Sequence, residues 1–293
     1  MSQSSVIKTN NELTYKKKMR PSERRTLWIG RIFIWIMIVL TMFPIVAIFS
    51  ASLAKGDTFT QTTFFPAEWG FQNYTKVIRE TDFLLWVKNS LIICTSVATI
   101  QILITLPAAF SFSRLRFKGR RNGLMSLLIL QMFPAMMAIP AILAIAYRLE
   151  AMDNIFMLII LLSAGSAYNI WLLKGFIDGI PKDLDEAAFV DGATTWQMFT
   201  RIILPLTKNM LLVIFLFSFI GVYSEFILTS ALMKDSSTQT VATGLRTFIN
   251  NNFSANWTQY SAAAIMASLP VVIIFVSLQK FISKGLVAGA VKG

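Results

Sequence analysis

The chain has 293 residues, 55% of them hydrophobic and only 14% charged, with a mean hydropathy of +0.61. A soluble domain normally carries about 25% charged residues, so the bulk composition is that of a membrane protein. There is no histidine and a single cysteine, Cys94, which excludes an intrachain disulfide, a cysteine-cluster metal site and any histidine-based triad or ligand set.

Six stretches are apolar enough, at about 20 residues each, to cross a bilayer as helices. In chain order they cover roughly 32–53, 89–113, 124–147, 155–173, 209–233 and 261–282. A basic segment, 1–31, precedes the first. "SLA" at Ser52–Ala54 offers a small-x-small cleavage string, but the apolar run before it exceeds the roughly 7–15 residues of a signal peptide. The first span is therefore read as an anchor.

Lysine and arginine alternate in density between the spans. Segments 1–31, 114–121, 174–208 and 280–292 hold eight, five, four and three, whereas 54–88, 148–154 and 234–260 hold four, one and two. This asymmetry predicts an all-α integral membrane protein with six transmembrane helices and both termini cytoplasmic. The net charge of +12 is then mostly topological and does not imply a nucleic-acid partner.

The spans themselves carry little chemistry. Pro107, Pro134 and Pro140 interrupt helical hydrogen bonding, which suits either a kinked packing helix or a helix bent around a passage. Glu225 is the clearest charge within a span, and reads either as a functional acid or as a solvated position about two turns from the outer end. Three N-x-[ST] strings, at Asn73, Asn252 and Asn256, fall in predicted outer loops. No paired carboxylates, nucleophile–base set or metal cluster can be assembled, so the chain is not read as an enzyme. It also lacks G-x-x-x-x-G-K-[ST] and G-x-G-x-x-G strings, so it has no nucleotide site of those kinds.

The informative segment is 181–206, "PKDLDEAAFVDGATTWQMFTRIILPL". Pro181 suits a first helical turn, and Asp183, Asp185 and Glu186 suit its positive end. Leu184, Ala187, Ala188 and Val190 are expected to share one small apolar face. Asp191-Gly192 stops that helix, and a second begins at Thr194, with Gln197 completing a capping box. Trp196, Phe199 and Ile203 give the second helix an apolar stripe, and Pro205 is expected to mark the bend into the fifth span. Four acids within nine residues, Asp183 to Asp191, disfavour a helix lying on anionic lipid. A polar helix–turn–helix that docks a cytoplasmic protein fits better.

The spacing E-A-A, three residues, G, nine residues, I-x-L-P is met by Glu186-Ala187-Ala188, Gly192, Ile202, Leu204 and Pro205. It resembles the EAA motif of ABC importer permeases. "LILQMFPAMMAIPAI" (Leu128–Ile142), "SAAAIMASLPVVIIF" (Ser261–Phe275) and the ending "GLVAGAVKG" are similar to the MalG-type subunit of maltose/maltodextrin importers. The resemblance implies a six-span permease over 32–282 in a bacterial inner membrane. Its partners would be a second, MalF-like permease, a dimer of cytoplasmic ATPase subunits and an external sugar-binding protein. ATP and Mg²⁺ would sit on the ATPase subunits, with no cofactor on this chain.

It further implies roles for particular residues. Ala187 and Ala188 permit close docking on the ATPase, Glu186 and Asp191 make polar contacts, Gly192 sets the turn, and Pro205 passes movement to the fifth span. Within the outer loop 234–260, the stretch Asn250, Asn251, Asn252, Phe253, Ser254, Ala255, Asn256 is expected to reach the binding protein's sugar cleft. The cytoplasmic tail 283–293, glycine-rich and read as flexible, would place Gly289, Lys292 and Gly293 at the ATPase interface. A secondary transporter or channel is the other class considered. It would be expected to show internal repeats or several mid-membrane ionisable groups, and the sequence has neither. A membrane scaffold with a docking helix is the third.

Overall fold

Helices α3, of 32 residues, and α10, of 20 residues, pack along each other and form the centre of the second of two units in the chain. The computed structural model describes residues 21–55, 65–250 and 256–290. Residues up to Ala47 form the first unit and Ile48 onward the second. Among the described residues there is no β-strand, only an isolated bridge between Ala54 and Trp69.

The first unit holds most of α1 (Pro21–Ser52), an unbroken apolar helix with Pro44 inside it. The second unit contains α2 (Gln72–Glu80), α3 (Phe83–Arg114), α4 (Arg120–Gln131), α5 (Ala135–Arg148), α6 (Ile155–Ser163) and α7 (Ala167–Asp178). It continues through α8 (Asp183–Val190), α9 (Thr195–Met198), α10 (Leu204–Tyr223), α11 (Ile227–Leu232), α12 (Val241–Leu245) and α13 (Trp257–Ala290). Helices α6 and α7 lie against α3, α13 lies against α10, and α2 lies on α13.

Four helical stretches are long and apolar enough to cross a membrane, or up to six if each of two bent pairs counts as one span. The bent pairs correct the third and fourth predicted spans. α4 and α5 meet at 90° around Pro134, and α6 and α7 at 45° around Ala164–Ser166. Proline has no N–H to donate, and its ring crowds the preceding turn, so the helix breaks there. Yet α3 and α5 continue as helix through Pro107 and Pro140. A proline permits a break without compelling one.

The fifth predicted span, 209–233, is also displaced. The helix begins at Thr195, passes through a π-turn at Phe199–Ile203, and ends at Tyr223. Leu204 N–H bonds to the Phe199 carbonyl five residues back. Widening the turn in this way accommodates Pro205 at the start of α10, so Pro205 sits in a continuous helix and not at a bend. Past Tyr223 the chain breaks and restarts as α11. Glu225 lies in that break and accepts from the N–H groups of Leu228 (2.7 Å) and Thr229 (3.0 Å), neutralising the orphan donors of α11.

Interior contacts follow the rule for helices in lipid, where small residues let backbones approach and polar side chains bridge. Ala98, Ala109 and Ala263 are fully buried at such contacts. At the middle of α3, Gln101 donates to the Leu162 carbonyl at 3.0 Å, just before the α6–α7 break. Asn169 of α7 donates in turn to Gln101 Oε1 and to Ser218 Oγ of α10, each at 3.2 Å. The break is thus held by side chains from three helices.

The end of the bundle that begins α3 is more structured than a solvated loop 234–260 would be. Asn89 donates to the carbonyls of Ser237 and Gln239, both at 2.9 Å, and Ser90 Oγ accepts from Val241 N–H at 2.8 Å. Asp153 accepts from the Asp235 N–H at 2.7 Å. Val241 and Phe248 are buried against Trp86. Asn73 is buried, with its amide donating to the Ser52 and Ala54 carbonyls at 3.0 and 2.8 Å, so the first of the three N-x-[ST] strings serves packing.

Gly244 lies flat on the Trp86 indole. A Cβ built there would come within 2.2 Å of Trp86 Cδ2, and Trp86 is wedged between Phe83 and Phe248. Gly244→Ala is expected to destabilise the protein by roughly 1–3 kcal/mol, the usual cost of overpacking a filled site. Thermal unfolding in detergent should show a lower midpoint. An unaltered midpoint would show that the ring is free to retreat.

Candidate docking site

Segment 181–206 forms its surface from strictly local geometry. Asp183, Asp185 and Glu186 occupy the first turn of α8. At its far end Gly192 takes φ +78°, its N–H bonds to the Phe189 carbonyl at 3.0 Å, and Ala193 N–H bonds to the Ala188 carbonyl at 2.9 Å. This pair of reversed bonds closes the helix, and its left-handed residue favours glycine. Thr194 then caps α9. Its Oγ1 accepts from Gln197 N–H at 3.2 Å, while Gln197 Oε1 accepts from Thr194 N–H at 2.8 Å.

The inner face of α8 is polar as well as small. Asp185 and Ala188 are its buried residues. Asp185 Oδ2 lies 2.6 Å from Arg114 Nε at the end of α3, and the two side chains are only 11% and 5% exposed. Arg114 Nη2 also donates to the Ile180 carbonyl at 2.9 Å, fixing the chain that enters α8. Neighbouring groups complete the joint: Ser113 donates to Asp178 at 2.6 Å, and Arg120 donates to the Phe112 and Ser113 carbonyls, both at 2.7 Å. An arginine counted in the sequence as a topological charge is thus the internal anchor of α8. No sequence signal pairs it with Asp185, because the two are far apart in the chain.

Of the expected apolar face, Leu184, Ala187 and Ala188 line one hollow beside α8, whereas Val190 does not line it. Val190 is 88% exposed, Leu184 and Ala187 are exposed, and only Ala188 turns inward. The ion pair turns Asp185 towards α3 and leaves most of that face outward. On the second helix, Phe199 and Ile203 are buried, with Phe199 against Phe110 at a ring distance of 5.1 Å, while Trp196 stays 69% exposed.

The outward surface therefore presents Glu186, Ala187, Asp191 and Gly192 together with the bare side chains of Phe189, Val190 and Trp196. Between α8 and the following helix lies a hollow of about 470 Å³, lined among others by Ala187, Ala188, Asp191, Gly192, Gln197 and Ile202. Leu204 and Pro205 are exposed just beyond it. Small residues in the hollow, charged Asp191 and Arg201 at its lining and exposed apolar side chains nearby form a surface suited to receiving another protein, since exposed apolar patches with polar borders mark interaction sites.

The other predicted site residues lie elsewhere. Asn250 is exposed at the end of the segment held by Asn89 and Trp86. Asn251, Asn252, Phe253, Ser254 and Ala255 lie outside the described residues. Asn256 caps α13, its Oδ1 accepting from Gln259 N–H and Thr258 Oγ1 at 3.0 Å each. α13 continues through Gly285 and Gly289 to Ala290, so the backbone after the sixth span is helical where a flexible tail was expected. A helix-interior glycine costs only about 1 kcal/mol against alanine, too little to stop a helix already propagating. Lys292 and Gly293 lie outside the described residues.

Comparison with known proteins places this surface in a family. The pattern of the binding-protein-dependent transport system inner membrane component matches residues 101–287, which include the whole of α8 and α9. The chain belongs to that family. It is 35% identical over 263 residues to the maltodextrin transport system permease protein MdxG of Bacillus subtilis (strain 168), covering 89% of this chain and 95% of that protein. It is 32% identical over 292 residues to the maltose/maltodextrin transport system permease protein MalG of Escherichia coli (strain K12), covering 93% of this chain and 98% of that protein. A galactooligosaccharides transport system permease, GanQ of Bacillus subtilis (strain 168), is 34% identical over 88% of this chain and 92% of its own length. Among solved structures, a chain of a bacterial ABC transporter involved in the import of the acidic polysaccharide alginate superposes with a TM-score of 0.76 at 23% identity. That match covers 90% of this chain and 99% of the other, and shows a shared fold. The likeness to MalG-type permeases, expected from the Glu186–Pro205 spacing, is thus found along most of the chain.

Proposed function

We propose that this protein is a permease subunit of a binding-protein-dependent ABC importer for carbohydrates, with maltose, maltodextrin or a related oligosaccharide as its cargo. The observation that carries the reading is the exposed hollow of α8, Gly192 and α9, held rigidly to α3 by the Arg114–Asp185 pair. A chain without a nucleotide motif must take its driving energy from a partner, and this is the surface where a partner would seat. The α8 end of the bundle faces the cytoplasm of a bacterial inner membrane, in line with the density of Lys and Arg around it. A second, MalF-like permease completes the passage, and a dimer of ATPase subunits carries ATP and Mg²⁺. In this reading Glu186, Ala187, Ala188, Asp191 and Gly192 are the contact residues of the coupling helix. Ile202, Leu204 and Pro205 connect it to α10.

At the opposite end the Asn250–Asn256 stretch meets an external sugar-binding protein. The preference for neutral glucans rests on the maltodextrin and maltose names of the relatives. The C-terminal residues Gly289, Lys292 and Gly293 reach the ATPase interface. The test is to reconstitute the chain with its partner permease, ATPase and binding protein in vesicles, with ATP on the ATPase side. Maltodextrin should enter only when ATP and the binding protein are both present. Entry without ATP, or a chain that retains no nucleotide-binding subunit on purification, would replace this reading with a channel or a scaffold.

A further inference from the structure

A second hollow, of about 490 Å³, opens between α4 and α7 on the side of the bundle, near the α8 end of α3. Its mouth carries three cations, Arg120, Arg121 and Lys174, beside Trp171, and its wall is built from Leu124 and Met125. No carboxylate lines it. Two of the cations are held in place by the protein. Arg120 is oriented by the carbonyls that end α3, and Lys174 is bonded to Asp178. Arg121 is exposed and has no ion-pair or hydrogen-bond partner among the described residues. The hollow therefore keeps a net positive charge after its internal pairings.

The apolar side matters equally. α4 buries none of its residues, and Met125, Ile129 and Leu130 are all more than half exposed along it. A continuous hydrocarbon surface thus leads away from a fixed group of cations. A free phosphate would satisfy the cations and leave that surface unmatched. A lipid with an anionic headgroup satisfies both, because basic pockets between membrane helices take such headgroups and exposed Trp side chains settle at the interfacial level.

We propose that the α4–α7 hollow is a binding site for an anionic glycerophospholipid, with the headgroup phosphate between Arg121 and Lys174 and an acyl chain along Met125 and Ile129. The inference requires only that the chain spans a membrane, and stands whether or not the transport reading holds. Full-length protein, purified in detergent with whatever subunits accompany it, is offered equimolar phosphatidylglycerol and phosphatidylcholine, and retained lipid is read by native mass spectrometry. Phosphatidylglycerol should be preferred, and Arg121→Gln with Lys174→Gln should reduce its retention about thirty-fold, in line with about 1 kcal/mol for each basic residue at a charged surface. Arg116→Gln with Lys118→Gln removes the same charge outside the hollow and should leave retention unaltered. Equal retention of the two lipids by the parent protein would overturn the site. So would an equal loss in the two double variants, which would show diffuse attraction. Displacement of the lipid by millimolar inorganic phosphate would overturn the choice of a lipid.

Discussion

Gly192→Val is expected to lower ATP-driven uptake by the assembled importer by about one to two orders of magnitude while the permease still inserts and pairs with its partner. At φ +78° a β-branched residue is strained, at a cost of order 1–3 kcal/mol, and about 1.4 kcal/mol corresponds to a factor of ten. No atom of this chain lies within 4 Å of the Cβ position at Gly192, so within the chain the Cβ itself meets no clash. That gives an internal control. Gly192→Asn should retain much more uptake, because asparagine tolerates the left-handed conformation. Glu186→Lys, on the exposed face of the same helix, should also impair uptake through charge reversal. Parental uptake by both Gly192→Val and Glu186→Lys would remove the coupling role from this segment.

Arg114→Met should be the most destabilising single change at the joint. It leaves Asp185 buried without its counter-charge, and breaking a buried pair by removing one partner costs about 3–5 kcal/mol. Replacing both partners behaves differently. Neither Arg114 Nη1 nor Asp185 Oδ1 has a hydrogen-bond partner among the described residues, so the pair bears a desolvation cost that its contacts do not fully offset. Arg114→Met with Asp185→Leu should therefore recover most of the thermal stability lost in the single variant. If α8 is steered through this pair, the double variant should still fail in uptake, because a packed Met–Leu contact lacks the directional hold of the ion pair. Stability and transport would then separate in one set of measurements. A double variant as unstable as Arg114→Met would show that the site tolerates no apolar substitute.

The parts of this molecule legible in the sequence are those whose causes are local. The Gly192 stop and the Thr194–Gln197 capping box depend on residues within one or two turns, and both stand where the spacing put them. The apolar spans were legible as lengths but not as directions. A hydropathy window counts residues across Ala164–Ser166 as readily as across Pro107, yet one place breaks the helix and the other does not. What decides is remote: Gln101, some sixty residues earlier, stands ready to accept the geometry of the broken α6–α7 turn. Which acid of α8 turns inward was hidden for the same kind of reason. Four acids in a row of nine residues look equivalent in sequence, and only the position of Arg114 separates Asp185 from Glu186. The hold on segment 234–249 was not legible in the sequence because its anchors, Asn89, Ser90 and Asp153, belong to other elements.

α3 touches both ends of the bundle: Trp86, Asn89 and Ser90 grip the 237–244 segment, and Arg114 grips α8. At about 1.5 Å per residue, its 32 residues make a shaft some 48 Å long. If it pivots near the mid-membrane cluster around Gln101, each arm is roughly half that length, and a swing of about 5° carries either end through about 2 Å in opposite senses. A pull on α8 would then appear at the far side as a push of similar size, with the stroke set by where the fulcrum sits. Moving the polar cluster about one helical turn along the shaft, by exchanging Gln101 with the residue four places on, Thr105, would shorten one arm by about 6 Å and lengthen the other.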